Sequence, residues 1–92
     1  MKTTVDSILR GGLALEQPER GYRFNIDAII LASFAARVAE AVALAPGRIL
    51  DLGAGCGVIG LALARRFREA EISLIELQAP LAELCQRNAD SN

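Results

Sequence analysis

The chain has 92 residues, 52% of them apolar, with ten lysines and arginines against eleven aspartates and glutamates for a formal net charge of −1. That suffices for one small core and sets one domain as the limit. It provides no global basic field to gather nucleic acid, although a local patch stays open. With no histidine, and with Cys56 and Cys85 far apart in sequence, no metal site is expected. A disulfide between the two is not expected either, and reduced thiols fit a cytoplasmic chain. No signal peptide or membrane span is expected, because Asp27 and Ser33 interrupt the apolar run from Ile26 to Ala36.

Met1 to Gly12 is polar and then weakly apolar at Val5, Ile8 and Leu9, which predicts a frayed tail or a short helical turn. Leu13-Ala14-Leu15-Glu16 alternates with a period of two, Gln17 to Gly21 has turn chemistry, and Tyr22-Arg23-Phe24 alternates again. These segments read as a small β-hairpin or as a loop that packs Tyr22 and Phe24 on the core. Residues 1–24 therefore form an N-terminal tail and hairpin unit. Asn25 suits an N-cap, and Ile26, Ile29, Ile30, Phe34, Val38 and Val42 repeat at helical spacing. This predicts an amphipathic helix to about Leu44, stopped by Pro46-Gly47. Asp27 falls in its first turn, where a dipole-complementing surface acid is the plain reading.

The chain is organised around Arg48-Ile-Leu-Asp-Leu-Gly-Ala-Gly-Cys-Gly-Val-Ile-Gly60. A strand from Arg48 to Leu52 leads into a turn with glycine at 53, 55 and 57, and a helix begins at about Gly57. Alternate glycines remove the Cβ atoms, so a ligand can press against peptide N–H groups. The new helix aims its positive dipole end at the same point. Such a turn suits the charged end of a nucleotide-like cofactor, against the plain alternative of a glycine-rich connection that binds nothing. Cys56 suits the turn by its small side chain.

Two cofactor readings share these residues. Gly55-Cys-Gly-Val-Ile-Gly60 matches the dinucleotide fingerprint, with Glu76 downstream as a ribose-binding acid. That register puts Asp51 inside a buried parallel strand without an obvious partner, at a cost of roughly a few kcal/mol. Starting the turn at Gly53 instead places Asp51 at the carboxyl end of the strand, where sites in open α/β sheets lie.

Beyond the turn, Val58 to Phe67 predicts a helix lying on a sheet, with Gly60 allowing close approach to the strand. Arg65, Arg66 and Arg68 read as a solvated helix end ahead of a nucleic-acid contact. Ile72 to Ile75 is a second buried strand ending at Glu76. Gln78-Ala79-Pro80 opens a third helix whose inner face carries Leu81, Leu84, Cys85 and Asn88. One βαβ unit with parallel strands and a flanking helix follows.

The pattern Asp51-Leu-Gly53-Ala-Gly55-Cys-Gly57, with Glu76 ending the next strand, resembles motif I of the class I S-adenosylmethionine methyltransferases. The resemblance implies a truncated Rossmann-like methyltransferase fold of the α/β class. Gly21-Tyr-Arg-Phe-Asn-Ile-Asp27-Ala-Ile-Ile-Leu-Ala-Ser-Phe-Ala35, ahead of motif I, is similar to the opening of the bacterial tRNA(Val) adenine N-6 methyltransferase group, within the methyltransferase small domain enzymes. By that resemblance, Asp51 and the turn residues Gly53, Ala54, Gly55, Cys56 and Gly57 hold S-adenosylmethionine. Asp51 either braces the turn or meets the methionine ammonium, and Glu76 grips the ribose hydroxyls. Leu77 and Gln78 flank the adenine, while Phe24, Asn25 and Asp27 lie beside the methionine end. The implied partner of the whole enzyme is tRNA or another nucleic acid.

The chain departs from the family in carrying no Asn-Pro-Pro motif, no third or fourth sheet strand after the glycine turn, and no acid to read the cofactor adenine. Residues 25–92 are thus expected to be the incomplete N-terminal portion of a methyltransferase domain, inactive by itself and self-associating through exposed strand edges and helix faces. An NAD-binding oxidoreductase fragment and a non-catalytic self-associating module are the rival readings.

Overall fold

The computed structural model describes residues 1–41 and 47–92. In chain order it contains β1 (Thr3–Ile8), β2 (Leu13–Pro18), α1 (Ile26–Ala41), β3 (Arg48–Leu52), α2 (Val58–Arg66), β4 (Glu71–Ile75) and α3 (Ala79–Ser91). The end of the first helix near Leu44 and the stop at Pro46 lie outside the described residues.

The hairpin forms from other residues than expected. β1 and β2 pair antiparallel, Thr3 opposite Pro18 and Ile8 opposite Leu13, so the predicted tail is a strand. Leu9, Arg10 and Gly11 make the turn, all with positive φ, and the Gly12 N–H donates to Leu9 O at 3.0 Å. The alternation in β1 is hard to read because Thr4 and Asp6 share its less exposed side while Val5 points out. Asp6 Oδ2 accepts hydrogen bonds from Thr4 Oγ1, Gln17 Nε2 and Arg23 Nη2 at 2.9, 2.7 and 3.1 Å. These donors hold its carboxyl below the usual carboxylate range, the Gln17 amide most of all.

Tyr22 to Phe24, expected as the second strand, has no strand structure. Side chains pin it instead. Arg23 reaches back to Thr4 and the Pro18 carbonyl, and the Phe24 N–H donates to Gln17 Oε1 at 3.1 Å. Leu13 and Leu15 of β2 bury themselves with Cys56 and Val58, and Ile8 and Phe24 pack against that cluster. The hairpin therefore lies directly against the glycine turn and the start of α2.

Asn25 caps α1 as its type predicts, its Oδ1 accepting the Asp27 N–H at 3.0 Å. The inward face is not the predicted one. Ala32 and Ala36 are the buried residues of α1, and this helix packs on α2. Ile26, Ile30, Leu31, Phe34 and Val38 are exposed, Phe34 at 64%. Small alanines let two helices approach closely, whereas the bulky stripe has no layer over it among the described residues.

β3 and β4 pair in parallel, Arg48 beside Glu71 and Leu52 beside Ile75, with α2 as the crossover. Ile49, Asp51, Ile72 and Leu74 are half-buried, and the alternate positions Leu50, Leu52 and Ile75 are exposed. β4 is thus covered on one side rather than buried on both. Parallel sheets normally have both faces covered, so this open apolar face is unusual.

α2 meets the covered face at Gly60. A Cβ there would overlap Leu74 Cδ2 and lie 3.2 Å from Asp51 Oδ2 and 3.3 Å from Ile72 Cγ2. Gly60→Ala should therefore lower the unfolding free energy by about 1–3 kcal/mol through overpacking, measured by urea denaturation. Unchanged stability would show that α2 can move off the sheet without cost.

Candidate functional site

β3 ends at Leu52, and Gly53, Gly55 and Gly57 follow with φ of 72°, 60° and 95°. The turn therefore begins at Gly53. L-residues with side chains adopt such angles at a steric cost, so glycine is required. Gly57 is the N-cap of α2, and no side chain caps it. Asp51 Oδ2 takes the Gly60 N–H at 2.9 Å, and the Leu61 N–H goes to Gly57 O at 2.9 Å. The first amides of α2, with its dipole, remain at the turn as an anion-favouring end.

Asp51 sits inside β3, one residue before its end, and it does have a partner. The Gly60 N–H offsets part of the cost of a half-buried strand aspartate. Burial pushes its carboxyl upward and the Gly60 amide opposes that shift. Its hydrogen bond braces α2 rather than the glycine turn itself.

Glu76 closes the other side of the site. Its Oε1 accepts the Gly55 N–H at 2.9 Å and its Oε2 the Gln78 N–H at 2.8 Å. The two amides hold its carboxyl below its usual range, Gln78 more than Gly55. Each oxygen has one amide and keeps lone-pair capacity for a further donor. Beside it Leu77 is 97% exposed and Gln78 is also exposed, an apolar surface next to a fixed acid. This set fits a ligand with vicinal hydroxyls and a flat ring: the acid can accept from the hydroxyls, and Leu77 can face the ring.

From behind, α3 supports the turn. Cys85 Sγ donates to Gly55 O at 3.0 Å, and Asn88 Nδ2 donates to Cys56 O at 2.8 Å. Cys56 and Cys85 are both buried free thiols. Burial raises both, Cys85 to about 11, with Cys56, Asp51 and Glu76 adding to the Cys85 shift. Neither thiol is a nucleophile at neutral pH.

The structure brings Asp51, Gly53, Ala54, Gly55, Cys56, Gly57, Glu76, Leu77 and Gln78 into one region. Phe24 belongs to the packed layer behind the turn. Asn25 and Asp27 are exposed at the start of α1, and no hydrogen bond joins either to the turn among the described residues. Tyr22, Cys85 and Asn88 were not singled out as site residues. The Tyr22 ring lies so near Gly55 that a Cβ there would be 2.9 Å from Cε1. Its alternation with Phe24 was the available signal. For Asn88 it was a polar residue on an otherwise apolar helix face.

Two arginines of the basic cluster, Arg65 and Arg66 in the last turn of α2, are engaged within the chain. Arg65 Nη1 donates to Gly12 O at 2.9 Å, and Arg66 pairs with Glu40, its Nε–Oε1 distance being 2.7 Å. A groove of about 520 Å³ lies there, between α1, α2 and the hairpin turn, lined along α2 from Val58 to Arg66. A second, of about 410 Å³, lies beside Glu76 between β4 and α3. Among the described residues, no group of three or more histidine, cysteine, aspartate or glutamate side chains could hold a metal ion. No helix among them is long and apolar enough to cross a membrane.

A parallel strand, glycine turn and helix, with an acid ending the next strand, define a truncated Rossmann-like methyltransferase fold of the α/β class. The family model of the methyltransferase small domain matches residues 29–92. The tRNA1(Val) (adenine(37)-N6)-methyltransferase of Porphyromonas gingivalis strain W83 is 33% identical over 75 residues, which are 82% of this chain and 29% of that protein. The protein of the same name from Pedobacter heparinus is also 33% identical over 75 residues, 82% of this chain and 30% of its own. The release factor glutamine methyltransferase of Vibrio cholerae is 42% identical over 50 residues, 54% of this chain and 18% of that protein. The chain belongs to the methyltransferase small domain family, a family of enzymes. It spans about 30% of the length of the two tRNA methyltransferases it matches.

Proposed function

We propose that this chain is the N-terminal, cofactor-binding portion of an S-adenosylmethionine-dependent methyltransferase that acts in the cytoplasm on an exocyclic amine of adenine in tRNA. The observation that carries the cofactor reading is Glu76, fixed by the Gly55 and Gln78 amides at the mouth of the glycine turn. The tRNA reading is supported by relatives matched over most of the chain whose names specify tRNA adenine. A relative whose name specifies a different acceptor, a glutamine, matches about half the chain. Methyltransferases with different acceptors thus share sequence with this chain, which supports a role in holding the common cofactor, with acceptor choice elsewhere.

When bound, S-adenosylmethionine supplies a methyl group on a sulfonium centre for direct transfer to an amine. This chain's residues hold and orient. The backbone of the turn from Gly53 to Gly57, its amides held by Ile75 O, Glu76 and Ala54 O except at Cys56, and the start of α2 line the methionine part. Asp51 stands near its ammonium, and Glu76 accepts from the ribose hydroxyls. Leu77 and Gln78 border the adenine. Phe24 backs the turn, and Asn25 and Asp27 lie at its methionine side. Positioning and electrostatics accomplish the step without a covalent enzyme intermediate. The 92 residues contain no Asn-Pro-Pro segment for an acceptor amine, so the isolated chain carries no transfer activity.

A second reading has one observation in its favour. Gly60 makes the close helix-to-strand contact that the third glycine of a dinucleotide fingerprint makes. Calorimetric titration with S-adenosylhomocysteine, and with NAD in parallel, separates the two. Saturable binding of S-adenosylhomocysteine, weakened at least tenfold in Glu76→Ala, is expected. Binding of NAD alone would establish the dinucleotide reading.

Self-association of the isolated chain belongs to the same proposal. Leu50, Leu52 and Ile75 on the open sheet face, and Ile30, Phe34 and Val38 on α1, expose side chains that parallel sheets and amphipathic helices normally cover. Light scattering at high micromolar concentration should show dimers or larger species, reduced by Phe34→Asp. A clean wild-type monomer would contradict this.

A further inference from the structure

β2 belongs to a two-stranded sheet, so among the described residues one of its edges has no strand beside it. α3 covers that edge with side-chain amides. Asn88 Oδ1 accepts the Glu16 N–H at 2.7 Å and its Nδ2 donates to Glu16 O at 2.8 Å. One helical turn on, Asn92 repeats the pattern, with Oδ1 accepting from Ala14 N–H at 3.1 Å and Nδ2 donating to Ala14 O at 2.8 Å. The spacings agree: four helical residues rise about 6 Å, and two strand residues about 6.8 Å. Two asparagines thus stand in for a neighbouring strand, and Arg87 adds an ion pair to Glu16 at 2.8 Å.

Asn88 differs from Asn92, which is exposed and gives its other Nδ2 hydrogen to Asn88 O at 2.8 Å. Asn88 is 1% exposed, and its second Nδ2 hydrogen goes to Cys56 O at 2.8 Å. The same primary amide therefore holds the hairpin and the centre of the glycine turn. Cys85 holds the carbonyl one residue earlier, at Gly55. In a planar trans peptide the following N–H points opposite to the C=O. Anchoring the Gly55 and Cys56 carbonyls to α3 therefore directs the Cys56 and Gly57 amides away from it, the Gly57 N–H closing the turn on Ala54 O at 2.8 Å.

We propose that Asn88 is a positioning residue for cofactor binding, which couples docking of the N-terminal hairpin to the conformation of the glycine turn. This rests on the reading of the turn as the S-adenosylmethionine site, and it assigns to α3 and the hairpin a part in that site. The ligand-facing geometry of the turn then depends on a strand more than thirty residues earlier in sequence, through one side chain.

Asn88→Asp tests the idea on the whole chain. It keeps the acceptor for Glu16 N–H but sets a carboxylate oxygen against the Glu16 and Cys56 carbonyls. Asn92→Asp applies the same change where the strand partner is Ala14 and the other Nδ2 contacts stay within α3 and its C-cap, at Asn88 O and Ser91 Oγ. Asn88→Ser is a milder replacement at the first site. Amide hydrogen exchange is read by NMR, and S-adenosylhomocysteine affinity by calorimetry. Asn88→Asp and Asn88→Ser should speed exchange at Gly55 and Gly57 at least tenfold more than at Leu74 in β4, and weaken S-adenosylhomocysteine about tenfold. Asn92→Asp should alter the hairpin amides while leaving the turn amides and the affinity within twofold. Equal acceleration at the turn and in β4, or unfolding of both Asn88 variants, would overturn the proposal, since Asn88 would then be a general stabiliser. Wild-type protein that fails to bind S-adenosylhomocysteine would count against the cofactor reading instead, and the exchange pattern alone would then decide the role of Asn88.

Discussion

The structure depends on how the backbone of the glycine turn is satisfied. A turn with three positive-φ glycines has no regular ladder for its peptide groups, and much of it is buried. Buried peptide groups without partners cost about 1–3 kcal/mol each. Here the partners come from downstream in the sequence, from the end of β4 and from α3. Ile75 O accepts from both Gly53 and Ala54 at 2.9 Å, Glu76 takes the Gly55 amide, and Cys85 and Asn88 take the next two carbonyls. The turn is consequently held by β4 and α3 as much as by its own glycines. A ligand-binding loop fixed in this way is preorganised and loses less entropy on binding.

The rest of the architecture follows from that arrangement. α2 must start where the turn ends, and Gly60 lets it lie against β3 and β4. The hairpin covers the back of the turn with Leu13 and Leu15, and α3 closes the free edge of β2. α1 joins through small alanines on α2. Its bulky stripe and the second face of the sheet are left uncovered, on a chain that spans about 30% of the tRNA methyltransferases it matches. Those surfaces have the chemistry of layers within a larger doubly wound sheet.

Much of this was legible in the residues. The run from Arg48 to Leu52, the glycines at alternate positions and Pro80 fixed the strand, turn and helix starts because each carries a local backbone constraint. The inner face of α3 was legible because Leu81, Leu84, Cys85 and Asn88 share a helical stripe. The hairpin was misread because β1 turns polar Thr4 and Asp6 to its less exposed side, where Arg23 and Gln17 satisfy them. Polarity then marks the wrong face. The stripe of α1 was assigned inward because hydrophobic periodicity gives the face that should be covered. It does not say whether the covering layer is at hand. The start of the turn at Gly53, with Asp51 near the carboxyl end of β3, was legible, but the hydrogen bond from Gly60, nine residues on, was not, because it belongs to the packing of α2 and not to the strand.

The central claim is that the turn and Glu76 together form an S-adenosylmethionine half-site. The most direct measurement is amide chemical-shift mapping of the isotope-labelled chain during titration with S-adenosylhomocysteine. Saturable shifts confined to Gly53 through Ile59 and to Glu76 through Gln78, with the amides near Arg65 and Arg66 unmoved, are the expected result. Shifts centred on the groove between α1 and the end of α2, with the glycine amides silent, would contradict it.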